Sequence, residues 1–249
     1  MKAMVFAAGQ GQRLRPLTDN LPKALVPVAG RPMIDYPLLL LRYYDIRDII
    51  INLHHLGEQI EAYLGDGARL GLNISYSKER QLLDTGGGLL KAKAFFQEES
   101  FVVINTDVLI DLPLSEVLAF HQRKQATATL VVRPDERAEQ FGSMTVDAQG
   151  RIDRFLDAKR PTAASIGSPK LMFTGVQILD PEVFNYMPAH AGSEKFSTTK
   201  DTYPRMLIEE RRLYGFRFEG FWQDLGTPPR IKEAEERLNQ GRASLHYLE

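Results

Sequence analysis

Residues 2–8 (KAMVFAA) form a nearly unbroken apolar run, the pattern of a strand covered on both faces. The run ends at Gly9 and Gly11. From Met33 to Tyr44 the apolar residues Met33, Ile34, Pro37, Leu38, Leu41 and Tyr44 recur at three- and four-residue steps, which predicts a helix packed on a sheet. DIIIN at 48–52 predicts a second buried strand, and GEQIEAYLGD at 57–66 a short helix stopping near Gly65. The order strand, loop, helix, strand, helix is the alternation of an open parallel sheet and places the chain in the α/β class.

NISYSKE (73–79) alternates like a strand, and FVVINTD (101–107) is another short apolar run ending in polar groups. Between them, Gly86-Gly87-Gly88 reads as a loop before the helix-like LLKAKAFF. A helix is expected from about 114 to 124, followed by the β-branched strand ATATLVVR. The texture then changes. Residues 142–158 read as two strands around the turn Ala148-Gln149-Gly150, 172–179 as another strand, and 214–228 as one more with an aromatic, acidic end. PPRIKEAEERLNQ is a polar helix. With no repeat, low-complexity tract or clear linker, one domain with a substrate-side subregion is expected.

Of 249 residues, 43% are hydrophobic, enough for one large α/β core. Thirty-one basic and thirty-two acidic residues leave a formal charge of -1, so the totals exclude a nucleic-acid or acidic-membrane binder and any anion site must be local. The absence of cysteine excludes disulfides, Cys-ligated zinc and Fe–S clusters, and suits the cytoplasm. The opening apolar stretch runs into Arg13 and Arg15, too early for a secretory leader. The most apolar later window, 37–44, is far below transmembrane length. A cytoplasmic protein without membrane or nucleic-acid partners is expected.

The first loop carries the chemistry. Glycines at 9 and 11 let the backbone come close to a ligand, and converging N–H groups beside the guanidinium groups of Arg13 and Arg15 suit phosphate. The dinucleotide fingerprint would need glycine where Leu14 stands, and the triphosphate P-loop a Gly-Lys pair that occurs nowhere in the chain. What remains is a glycine loop with arginine, then Lys23 after Pro22.

Residues 3–37 resemble the signature region of the sugar-1-phosphate nucleotidyltransferases, or NDP-sugar pyrophosphorylases: AAGxGxRLxPLT, then PKALVPVxGRPMIxY. NTDV, FTGV and FWQDLGTP follow at the family's later motif positions and in order, so the resemblance covers most of the chain. It implies a Rossmann-like three-layer α/β fold with a mixed, mainly parallel sheet and a small sugar-side β subregion. Residues 1–249 would form one nucleotidyltransferase domain, with a nucleotide half to about 110, a sugar half from about 111 to 228, and a C-terminal helix over 229–249. The implied reaction joins an NTP to a sugar 1-phosphate and releases pyrophosphate. DTGGG (84–88) resembles N-acetylmuramate-1-phosphate uridylyltransferases, whereas 200–228 looks more like mannose-1-phosphate guanylyltransferases, so UTP and GTP both stay open, as do a hexose and an N-acetylated amino sugar.

By the same resemblance, Gly9, Gly11 and Arg13 cradle the triphosphate, with Arg13 on the leaving phosphates and Lys23 near the α-phosphate; Arg15 either assists or is structural. Mg²⁺, a hard cation suited to carboxylate and phosphate oxygens, is expected on Asp107 and Asp224, with Thr106 standing where the family usually has glycine. Asp111 is left out of that pair. The backbone of Ala7 and Ala8, the glycines Gly86 and Gly87, and the Gln81 side chain are expected at the nucleobase. Gly142, Lys159 and Thr174 are expected at the sugar phosphate, with Arg160 an alternative to Lys159. His54 and His55 are read as surface or packing residues. A catalytically inactive nucleotide-sugar sensor is the rival; Arg13, Lys23, Asp107 and Asp224 together speak against it. No fused acyltransferase tail is expected, since only a short helix follows Pro229, and the oligomeric state is left open.

Overall fold

A computed structural model describes residues 1–136, 138, 143–163, 169–188 and 195–248. The chain folds as two compact units: Met1–Leu82 with Val103–Leu112 and Gly220–Glu249, and Leu83–Val102 with Pro113–Glu219.

In the first unit the expected alternation appears. β1 (Lys2–Phe6) is followed by the short hairpin β2 (Pro27–Val28) and β3 (Arg31–Pro32), helix α1 (Asp35–Tyr43), β4 (Asp48–Leu53), α2 (Gly57–Leu64) and β5 (Asn73–Lys78). β1 runs parallel to β4 with Lys2 opposite Asp48 and Phe6 opposite Asn52, and β4 runs parallel to β5. β6 (Phe101–Asn105) lies on the other side of β1. Ala3, Met4, Val5, Ile49, Ile51, Val103 and Ile104 are buried, the doubly covered strands that unbroken apolar runs specify. α1 buries every residue from Asp35 to Leu41 and packs on β1, while α2 packs on β4 and β5. β7 (Val108–Ile110) pairs antiparallel with a late strand, β14 (Trp222–Asp224), setting Asp224 opposite Val108. Helix α7 (Pro228–Asn239; α3–α6 belong to the second unit) then packs against β14. The tail is tied back by Asp111, whose Oδ1 accepts the His246 amide at 2.8 Å and faces His246 Nδ1 at 2.5 Å.

The second unit holds α3 (Asp84–Lys91), α4 (Lys93–Phe96), α5 (Leu114–Lys124) and α6 (Tyr203–Ile208). Its strands are β8 (Ala128–Pro134), β9 (Met144–Val146), β10 (Ile152–Phe155), β11 (Ala158–Lys159), β12 (Leu171–Leu179) and β13 (Leu213–Arg217). β8 sits between antiparallel β12 and parallel β13, and β9, β10 and β11 form an antiparallel meander beside β12. Mixed pairing of this kind is the sheet the resemblance implied. Phe96, Phe101 and Phe184 stack in its core, with centroids 3.8 Å apart for Phe96 and Phe101.

Three expectations are corrected. Residues 214–228 form two strands, β13 and β14, in different units and with different partners, because the chain leaves β13 after Arg217 and its apolar run conceals the break. The triple glycine opens α3 and does not precede it. Finally, 89–96 is divided, α3 ending at Lys91 and α4 starting at Lys93.

His121, on α5, is buried with Nδ1 2.9 Å from Thr129 Oγ1. Burial lowers its pKa from 6.5 to about 4, with the Asp180 carboxylate opposing the shift. The unfolded imidazole takes up a proton near 6.5 and the folded one only near 4, so stability present at neutral pH is lost as pH falls through that window. The loss should be about 2 kcal/mol between pH 6.5 and 5, at ~1.4 kcal/mol per pH unit. Urea unfolding of wild type and His121→Gln at pH 7 and 5 checks this: the variant should lose that much less, and identical acid losses would refute it.

Candidate active site

β1 ends in the loop from Ala7 to Gly11, and its two glycines do different things. Gly11 has φ +64°, a left-handed conformation that strains an L side chain, and a Cβ there would stand 2.9 Å from Thr18 Cγ2 and 3.0 Å from Lys23 Cβ. Thr18 Oγ1 and the Leu14 amide both donate to the Gly11 carbonyl at 2.8 Å. Gly11 therefore lets the following segment, with Lys23, lie close against the loop. At Gly9 no atom of the described residues, its chain neighbours aside, lies within 4 Å of the place a Cβ would take, which leaves room for a ligand. Arg13 is exposed beyond the loop. Arg15 pairs with Asp19 at 3.4 Å, both side chains at least half in solvent, which favours its structural reading.

Asp107 follows β6, and the threonine before it explains the departure from glycine. Thr106 is buried, and both its amide (3.2 Å) and its hydroxyl (2.5 Å) donate to the Phe6 carbonyl, fastening the turn that carries Asp107 to the end of β1. Lys23 Nζ pairs with Asp107 Oδ2, the two side chains 16% and 25% exposed. The Leu225 amide donates to the Asp107 carbonyl at 2.9 Å, so the residue after Asp224 is one hydrogen bond from Asp107. Asp224 Oδ1 accepts the Gly226 amide at 2.6 Å, and Oδ2 pairs with Arg230 from the first turn of α7. A Cβ on Gly226 would fall 2.6 Å from both Arg13 Nη2 and Asp224 Oδ1. Arg13, Lys23, Asp107 and Asp224, separated along the chain, thus gather at one end of the first unit's strands.

The donors suit a hard divalent cation in kind. Each aspartate offers carboxylate oxygens and already has a cationic neighbour. Among the described residues no group of three or more His, Cys, Asp or Glu forms a metal cluster. Magnesium commonly takes one or two carboxylates and completes its shell with substrate phosphates and water.

The remaining expectations divide. Ala7 and Ala8 are buried, and the Ala7 amide donates to Asn52 Oδ1 at 2.9 Å. Gln81 is exposed just beyond β5. The glycines at 86 and 87 are packed: both amides donate to the Phe196 carbonyl, at 2.9 and 3.2 Å, and a Cβ on Gly86 would meet the Phe196 ring at 2.3 Å. Helix-to-chain contact therefore requires glycine at 86. Lys159 is exposed on β11. Arg160 is buried, pairs with Asp153 and, at 3.3 Å, with Asp147, and donates to Thr162 Oγ1 at 2.9 Å, so it drops out as the alternative to Lys159. Thr174 is 1% exposed and its hydroxyl donates to the Val131 carbonyl at 2.9 Å. Gly142 lies outside the described residues. His54 Nδ1 lies 3.1 Å from the Glu79 carbonyl, a packing role.

The sequence model of the family described as Nucleotidyl transferase matches residues 2–241. The chain belongs to the nucleotidyl transferase family. It is 36% identical to N-acetylmuramate alpha-1-phosphate uridylyltransferase of Neisseria meningitidis over 94% of this chain and 97% of that protein. It is 34% identical to UTP--glucose-1-phosphate uridylyltransferase of Synechocystis sp. over 92% of this chain, and 31% identical to mannose-1-phosphate guanyltransferase of Saccharomyces cerevisiae, also over 92%. It spans only 61% and 62% of the lengths of those two relatives. The fold matches a Bacillus anthracis structure assigned as a glucose-1-phosphate thymidylyltransferase, with TM-score 0.82 at 22% identity over 95% of this chain and 94% of that one. It also matches HddC of Yersinia pseudotuberculosis, with TM-score 0.75 at 20% identity over 95% and 99%.

Within this nucleotidyl transferase fold, sequence reasoning passed over Arg230, Gly226 as a contact residue, and the pair Asn52 and Glu79. Arg230 sits in a helix so polar that one more arginine reads as solvated. Asn52 did carry a signal, as an amide closing the apolar run DIII.

Proposed function

We propose that this chain joins an NTP to a sugar 1-phosphate: a phosphate oxygen of the sugar 1-phosphate attacks the α-phosphorus, the bond to the bridging oxygen breaks, and pyrophosphate leaves. The observation that carries the reading is the gathering of Arg13, Lys23, Asp107 and Asp224 next to the glycine loop, with Lys23 against Gly11. Two substrates that both carry negative charge must be held together, and an arginine and a lysine at the mouth of a glycine loop lower that repulsion. Arg13 would hold the leaving phosphates, and Lys23 would exchange Asp107 for an oxygen of the α-phosphate. Asp107 and Asp224 would hold Mg²⁺, which when bound supplies Lewis-acid neutralisation of phosphate charge. Lys159 is the proposed cation for the sugar phosphate, with Gly142 beside the sugar. Relatives named as uridylyltransferases and guanyltransferases support UTP or GTP as the nucleotide and a hexose or N-acetylated amino-sugar 1-phosphate as the acceptor.

Pyrophosphate release across four NTPs and a panel of sugar 1-phosphates tests this. Turnover is expected with UTP or GTP and at least one acceptor. Tight NDP-sugar binding without pyrophosphate from any pair would replace the enzyme with a sensor.

A further inference from the structure

Asn52 and Glu79 form a water-excluded chain of hydrogen bonds that ends on the nucleotide loop. Asn52 closes β4 and is 3% exposed; Glu79 follows β5 and is 6% exposed. The Ala7 amide can only donate, so the Asn52 atom facing it at 2.9 Å must be the carbonyl Oδ1. That choice turns the Asn52 amide nitrogen towards Glu79, and Nδ2 donates to Glu79 Oε1 at 2.8 Å. A carboxylate accepts and does not donate, so Glu79 permits only this orientation of Asn52. The Glu79 backbone is held as well, its amide donating to the Leu53 carbonyl at 2.7 Å and its carbonyl facing His54 Nδ1. Gln81, two residues on, leaves this clamp exposed.

Burying a carboxylate is costly unless its bonds are satisfied, so an acid here needs a reason that an apolar residue would not serve. We propose that Glu79 is a positioning residue for the nucleotide: through Asn52 it fixes the Ala7 amide, and with it the loop backbone at Ala7 and Ala8, and it fixes the strand end that presents Gln81. The inference rests on the nucleotidyl-transfer reading above.

The test uses the full chain with Glu79→Met, which removes the acceptor, and Glu79→Gln, which keeps an acceptor oxygen without the charge. Dissociation constants for UTP, GTP, CTP and ATP are measured by calorimetry, alongside KM, kcat and hydrogen exchange of the peptide containing Ala7. Glu79→Met should weaken UTP or GTP binding and raise the KM for the preferred NTP at least tenfold, with kcat and the sugar-phosphate KM within threefold, and should speed Ala7 exchange. Glu79→Gln should stay within threefold of wild type. A purely structural Glu79 would lower Tm and leave NTP affinity unchanged, which overturns the proposal. Should Glu79→Met not fold, Asn52→Ser, too short to bridge both partners, carries the same expectations. Absence of turnover in wild type would remove the reaction, whereas the affinity and exchange readouts still decide the clamp.

Discussion

Asp107→Asn is expected to lower kcat for pyrophosphate release about 10³-fold, at the upper end of what loss of one preorganised electrostatic group does to an enzyme. The substitution keeps shape and removes charge. Asp107 is paired with Lys23, and its main-chain carbonyl is fixed independently by the Leu225 amide, so the backbone should stay in place when the side chain is neutralised. Two functions are lost together: a hard oxygen ligand for the divalent cation, and the counter-ion that keeps Lys23 poised. Tm should fall only modestly, because both side chains retain some contact with water. Titration with Mn²⁺ separates the contributions, since a weakened cation site should recover part of its rate at higher metal concentration. A variant within threefold of wild type would remove Asp107 from the chemistry.

How much of this was legible in the sequence depends on what each residue answers to. Helix α5 runs from Leu114 to Lys124, the span its periodicity predicts, because one apolar face against β8 is a local property of the sequence. Arg13, Lys23, Asp107 and Asp224 were legible as residue types in a fixed order, but their convergence depends on the β7–β14 pairing and the hydrogen bond from Leu225 to Asp107. Local reasoning failed where a distant partner decides. Three successive glycines read as a loop because glycine is a poor helix former; the Phe196 ring fills the space against Gly86, and only glycine lets α3 take that position. Lys159 and Arg160 were indistinguishable as adjacent bases until burial and Asp153 claimed the second. The acids at 79 and 153 were invisible as buried groups, since a carboxylate in a polar stretch looks solvated until the fold supplies its partner.

Gly226→Ala is expected to lower kcat about 10²-fold with little change in Tm, the size of loss that follows from moving a catalytic group by about 1 Å. The added methyl would stand 2.6 Å from Asp224 Oδ1 and 2.6 Å from Arg13 Nη2, well inside van der Waals contact, so something must yield. Arg13 yields more readily, being the far end of an exposed side chain. Asp224 has less freedom, because one oxygen accepts the Gly226 amide and the other pairs with Arg230. The methyl therefore displaces the arginine proposed for the leaving phosphates and presses on the carboxylate proposed for the cation. A double-mutant cycle assigns the source: on an Arg13→Ala background, where the guanidinium is already gone, Gly226→Ala should cost much less than on wild type, since contacting residues are not additive. Equal losses on both backgrounds would trace the effect to Asp224 alone, and a single variant with kcat within threefold of wild type would show that neither group needs the position this structure gives it.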